Sequence, residues 1–90
     1  MRYSFNPAKS ESHLAKHGVA FEAVESFEWE WALVVADVRF DYPEPRLNAL
    51  APIGGRVHHL TYTIERRAVR IISLRKASNR EIDRYEASLS

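Results

Sequence analysis

Guanidinium groups crowd one short stretch, "RIISLRKASNREIDRY" at 70–85, in which an apolar run delivers Arg70, Arg75 and Lys76, and Arg80 opens the segment that follows. A guanidinium presents a planar fork of N–H donors that grips phosphate oxygens in pairs and stays charged at any cellular pH. The chemistry such a corner suits is the holding of phosphate, RNA phosphate in particular. Charge along the chain points the same way. Residues 1–55 are net −3 and residues 81–90 net −2, whereas 56–80 carry Arg56, Arg66, Arg67, Arg70, Arg75, Lys76 and Arg80 against Glu65, a net +6 inside an overall +1. A local excess of cations is the electrostatic footprint of a polyanion partner even when the whole chain is near neutral.

Histidine is the natural proton-transfer residue near neutral pH. His17 is one candidate; its other reading is a helix C-terminal residue that bonds a terminal carbonyl and complements the helix dipole. Lys9, His13, Lys16 and His17 share one face of the first helix, where the lysines either hold RNA backbone or simply face solvent. His13 and His17 are four residues apart, which makes only half a zinc site. With no cysteine and no third ligand apparent, neither a metal nor any other cofactor is expected.

Ninety residues suit one domain, 1–90. The lack of cysteine excludes a disulfide framework and thiolate metal sites. No apolar run approaches the roughly 20 residues that span a bilayer, and the N-terminus lacks a signal peptide's apolar segment. The expected setting is the cytoplasm.

The elements that must position these groups follow from pattern. "RYSF" reads as a short first strand; Asn6-Pro7 caps a helix running to about Lys16, and Gly18 stops it. A second helix is expected from about Phe21 to Trp29 or a little beyond, since Ala20, Val24, Phe27 and Trp31 follow the helical period. Its two indoles read as core or interface. Strands follow at 32–40, 46–53 and 56–65, the last two joined by Gly54-Gly55, and Arg66-Arg67 turns into a fourth, "VRIISLR". Strict alternation puts Val69, Ile71, Ser73 and Arg75 on one face and Arg70, Ile72 and Leu74 on the other, so Arg70 and Arg75 share a face only if a bulge or the strand end re-aims one. Ser78-Asn79-Arg80-Glu81 is a capping box opening a last helix, whose Ile82, Tyr85 and Leu89 form an apolar stripe and whose first N–H groups favour an anion. The expected architecture is α+β: two N-terminal helices, an antiparallel sheet of about four strands and a C-terminal helix.

Three ordered patches, "NPAKSESHLAKHGVAF" at 6–21, "DYPEPR" at 41–46 and "RIISLRKASNREIDRY" at 70–85, together resemble the BrnT family, toxins of bacterial type II toxin–antitoxin pairs. The resemblance implies a RelE-like fold and an endoribonuclease that arrests translation. It also implies a cognate BrnA-like ribbon-helix-helix antitoxin in a 2:2 complex, with operator DNA engaged only through that antitoxin. Metal-free RNA cleavage uses attack by the 2′-OH, so it needs a base, an acid and cations on the non-bridging oxygens. Arg75 and Arg70 are the first candidates for the cations, with Lys76 and Arg80 on flanking phosphates. Glu44 is a candidate base, or a turn carboxylate beside Arg46; Arg46 is itself a candidate RNA contact, and Tyr42 is placed to stack on a base or donate its hydroxyl. Two rivals remain. One is a non-catalytic RNA- or antitoxin-binding relative, favoured by His13, Pro43 and Pro45 where the family has other residues; the other is self-association through Trp29 and Trp31.

Overall fold

The computed structural model describes residues 1–90. Strand β1 (Tyr3–Ser4) leads into helix α1 (Pro7–His17), then two 3-10 segments (Phe21–Ser26 and Trp29–Trp31). Strands β2 (Leu33–Asp37), β3 (Arg46–Ile53), β4 (Arg56–Glu65) and β5 (Ala68–Lys76) precede helix α2 (Asn79–Ser88). None of the helices is long and apolar enough to cross a membrane.

Helix α1 is delimited as its sequence dictates. The Asn6 side chain accepts the Ala8 N–H at 2.9 Å, Pro7 occupies the first turn, and Gly18 at φ 75° donates its N–H to the Leu14 carbonyl at 2.9 Å. The expected second helix is not α-helical. Buried Phe21, Val24 and Phe27 recur every three residues, the period of a 3-10 helix, whose i and i+3 side chains eclipse. Both ends are pinned. Ser10 Oγ accepts the Phe21 N–H at 2.9 Å and donates to Glu22 at 2.7 Å, while the Glu28 N–H reaches the Pro52 carbonyl at 3.1 Å and draws the chain onto the sheet.

The sheet has five strands in the order β1-β5-β4-β3-β2. It is mixed, because β1 runs parallel to β5 while the other pairs are antiparallel. The expectation of about four antiparallel strands therefore misses the parallel edge. The strand expected over 32–40 ends at Asp37, whose carboxylate accepts the Arg39 backbone N–H at 3.2 Å and curls the chain out of the ladder. Gly54 and Gly55, at φ 56° and 82°, make the tight turn between β3 and β4. Arg66 and Arg67, at φ 51° and 63°, make the turn between β4 and β5 without glycine.

One sheet face carries Leu60, Tyr62, Val69, Ile71 and Leu74 against Phe21, Val24 and Phe27. Helix α2 covers only one end of the other face, where Tyr85 and Ala77 pack with Leu50, Leu33 and Val57; the Tyr85 hydroxyl donates to the Trp31 carbonyl at 2.8 Å. The remainder of that outer face is open. A bulge in β5 decides what it displays. Thr61 pairs with Ser73 but Tyr62 pairs with Ile71, so Ile72 is an extra residue and the alternation reverses there. Val69, Ile71 and Leu74 all reach the core, and Arg70, Ser73 and Arg75 all face outward, which corrects the strict alternation expected from the sequence.

Candidate functional site

The open sheet face holds two adjoining hollows that share Arg46 and Ile72. The first, of about 320 Å³, draws Lys9 from α1, Tyr42 and Glu44 from the loop before β3, and Thr63, Glu65 and Arg70 from the hairpin β4–β5. The prolines of "DYPEP" do not leave this loop free. Thr63 Oγ1 donates to the Pro45 carbonyl at 2.7 Å, fastening the loop to the sheet. The Arg46 guanidinium lies 4.3 Å from the centre of the Tyr42 ring, and the Tyr42 hydroxyl donates to Asp37 at 3.2 Å. Asp37, its side chain only 1 % exposed, also takes Arg39 Nε and Nη2 at 3.0 and 2.9 Å. Those guanidinium bonds hold its carboxyl far below the usual carboxylate range, so it stays charged as the anchor of the loop.

The second hollow, of about 470 Å³, continues along the sheet to α2, with Asn48, His59, Thr61, Arg75, Glu81 and Arg84 on its walls. Arg75 is gripped through Nη1 and Nη2 by the two oxygens of Glu81 at 2.8 and 2.9 Å. The same carboxylate accepts the Ser78 N–H at 2.8 Å, while Ser78 Oγ accepts the Glu81 N–H at 3.2 Å, the reciprocal capping box. The Arg75 hydrogen bonds, against the opposing effect of burial, hold the Glu81 carboxyl down to about 2. The α2 N-terminus thus meets a built-in carboxylate rather than an open anion site. His59 lies beside this pair, Nε2 3.7 Å from Glu81 Oε2, too long for a hydrogen bond. Burial first, then the charge of Arg75, lowers its pKa, with the Glu81 carboxylate opposing them; its Nδ1 is buried without a partner.

Of the residues singled out from the sequence, the first hollow brings together Lys9, Tyr42, Glu44, Arg46 and Arg70, and the second holds Arg75. His17 and Lys16 line neither: both are exposed at the far end of α1, where the His17 ring lies 5.1 Å from that of His13. No group of three or more His, Cys, Asp or Glu side chains is gathered there or elsewhere as a metal cage. Lys76 pairs across to His58, on the opposite face from Arg75, and exposed Arg80 lines neither hollow; Arg84, the next arginine along α2, takes that position. Sequence reasoning missed His59, Glu81, Arg84 and Arg39 as groove residues. His59 could be found by counting hairpin register back from Arg75, its cross-strand partner, but only with the bulge included.

Fold and site define a class: a small α+β protein that turns an arginine-rich sheet face outward, with a carboxylate and a tyrosine at its rim. The family model described as "Ribonuclease toxin, BrnT, of type II toxin-antitoxin system" matches residues 5–81, and the chain belongs to that family. It is a ribonuclease toxin of the type II kind, whose partner is a protein antitoxin. The matched span takes in every residue lining the two hollows except Arg84. A search of curated proteins found no match.

Proposed function

We propose that the chain is a metal-independent endoribonuclease of RelE-like fold that cuts RNA in the groove formed by the two hollows, and so arrests translation in the cytoplasm. The observation that carries this is the bulge at Ile72, which sets Arg70 and Arg75 on one face with Arg46 shared between the hollows. Arg70 is exposed and makes no ion pair, so its whole fork is available to the non-bridging oxygens of the scissile phosphate. Arg75 is held rigid by Glu81 and bonds the Lys76 carbonyl at 3.3 Å, yet keeps its Nε–H and one Nη2 hydrogen for a neighbouring phosphate. Positioned donors of this kind require no reorganisation during the reaction, and removal of one lowers the rate by about 10²–10³.

Glu44, in the same hollow as Arg70, takes the 2′-OH proton. His59, in the adjoining hollow, serves proton transfer at the leaving 5′-oxygen. Lys9 holds a flanking phosphate, and the Tyr42 ring, its hydroxyl already engaged by Asp37, offers a face for a base. The antitoxin is of the BrnA ribbon-helix-helix type, forms a 2:2 complex and alone contacts operator DNA. The test is direct: purified chain incubated with RNA and EDTA yields fragments ending in 2′,3′-cyclic phosphate and 5′-OH, and Arg70→Ala removes most of that product. Intact RNA from a folded wild-type sample overturns the reading; salt-sensitive binding without cleavage selects the non-catalytic relative.

A further inference from the structure

The surface furthest in character from the groove is the free edge of the sheet. Strand β2 ends the strand order and pairs only with β3, so the backbone groups along its outer side have no partner strand. Val34 and Val35 are exposed along it, and the patch extends to Trp31, 58 % exposed, before the strand and to Val38 and Phe40, 84 % and 68 % exposed, after it. Sheet edges are ordinarily blunted by lysine, proline, a bulge or a covering loop. "LVVAD" contains neither lysine nor proline, and its five pairs with β3 run in unbroken register. An unpaired strand edge with apolar side chains exposed on both of its faces is an interaction surface.

We propose that this edge docks an extended segment of a protein partner, apolar at alternate positions and cationic at its ends, which adds to the sheet as a sixth strand. The sign of the surrounding charge selects that occupant. Glu28 and Glu30 stand just before β2, and Asp41 and Glu44 lie at its far end, where both nearby cations are engaged, Arg39 by Asp37 at 2.9 Å and Arg46, cross-strand from Asp37, over the Tyr42 ring. Both ends of the strand are therefore acidic. A second copy pairing antiparallel would set Glu30 of one chain near Asp41 of the other, twice over by symmetry, and like charges brought together at an interface are disfavoured. RNA is repelled for the same reason. A segment with lysine or arginine at both ends satisfies the backbone edge, covers the valines and neutralises the rim; main-chain pairing supplies affinity and the alternate side chains specificity. The docking edge does not depend on RNA chemistry in the groove, because none of β2 lines the two hollows.

The experiment uses the full chain and synthetic acetylated peptides of alternating valine and threonine with two lysines at each end. Fluorescence anisotropy measures binding and amide hydrogen exchange locates it. The lysine peptide binds and slows exchange across Leu33–Asp37, salt weakens it, and a version with glutamates at the ends binds at least about tenfold more weakly. N-methylation of alternate peptide residues abolishes binding, because it blocks the ladder and leaves the side chains unchanged. Val35→Lys weakens the lysine peptide by a similar factor and leaves RNA cleavage unaltered. Failure of the lysine peptide to protect β2, indifference to end charge or N-methylation, or a dimer of the free chain that Val35→Lys dissolves would each overturn the proposal. Loss of the RNA reading alone would leave it standing.

Discussion

Arg75 is clasped by both oxygens of Glu81, at 2.8 and 2.9 Å, whereas Arg70 on the same face of β5 has no carboxylate partner. The two substitutions to alanine must therefore differ. Arg70→Ala removes an exposed, unpaired charge, so stability changes by no more than about 0.5 kcal/mol while cleavage falls about 10²–10³-fold. Arg75→Ala leaves a largely buried carboxylate without its partner and lowers stability by about 1–3 kcal/mol as well as activity. Thermal melts and RNA cleavage, run on both variants, separate the two roles. Equal destabilisation by both would contradict the pairing.

The Arg66-Arg67 turn stores strain. Both residues lie in the left-handed region, at φ 51° and 63°, a conformation unfavourable by about 1–2 kcal/mol for a residue with a Cβ. Asparagine and glycine adopt it readily, and Asn-Gly is the preferred pair for such a turn. Replacing Arg66 by Asn and Arg67 by Gly raises stability by about 1 kcal/mol after allowing for the flexibility glycine adds to the unfolded chain, a Tm increase of about 4–8 °C for a domain of this size. Neither arginine lines the groove, so cleavage is retained.

Local signals carried the termini of both long helices. Asn6, Pro7, Gly18, Ser78 and Glu81 each act on a backbone group within a few residues, and their effect is written in the nearby sequence. The bulge at Ile72 is not local. It exists only in the pairing of β5 with β4, so alternation within β5 alone places Arg70 and Arg75 on opposite faces. The 3-10 segments escape for a related reason: "FEAVESF" satisfies periods of 3.0 and 3.6 equally over so short a run, and the choice is made by Ser10 and Pro52, remote in sequence. At the site, the assembly of Tyr42, Glu44 and Arg46 with Arg70 was indicated by the family-like patches rather than by spacing. The second task of Glu81, holding Arg75, stayed hidden because its capping role already accounted for it.

Imidazole placement distinguishes the two histidine candidates. His17 is exposed on α1 and lines neither hollow, so His17→Ala leaves cleavage within a factor of about two. His59 faces the groove beside Arg75 and Glu81, and His59→Gln lowers kcat by about 10²-fold, the low end of general acid–base contributions. Single-turnover cleavage reads both. An RNA whose scissile 5′-oxygen is replaced by sulfur needs no acid, so it restores the rate of the His59 variant; a purely structural defect would not be restored.

Arg46 touches both hollows and stacks on Tyr42, which makes it the groove's central cation. Phosphate contacts release condensed counterions, so each one adds about 0.7 to the slope of log affinity against log salt for single-stranded nucleic acid. Arg46→Gln reduces that slope by about this amount and weakens binding without regard to sequence. Arg46→Lys keeps the charge and the slope but loses the planar stack, leaving affinity intermediate. Filter binding of a non-cleavable 2′-O-methyl RNA across a salt series measures both effects; an unchanged slope in Arg46→Gln removes Arg46 from the RNA path.

Acid should dissolve the Arg75–Glu81 clasp in a defined window. The Glu81 carboxyl titrates near 4.5 in the unfolded chain and is held to about 2 in the folded one, chiefly by the Arg75 hydrogen bonds. A carboxyl depressed by folding binds its proton more readily when unfolded, so its stabilisation is complete above the unfolded value and disappears as pH falls through the folded value. Glu81→Gln, which mimics the protonated acid, is therefore less stable than wild type by about 2 kcal/mol at pH 7, in keeping with charge-assisted hydrogen bonds. That difference holds down to about pH 5, narrows below 4.5 and vanishes near pH 2. Urea denaturation of both proteins at intervals from pH 7 to 2 tests this directly. A difference that stays constant across the window would show that the clasp, though closed in the structure, does not couple folding to the charge on Glu81.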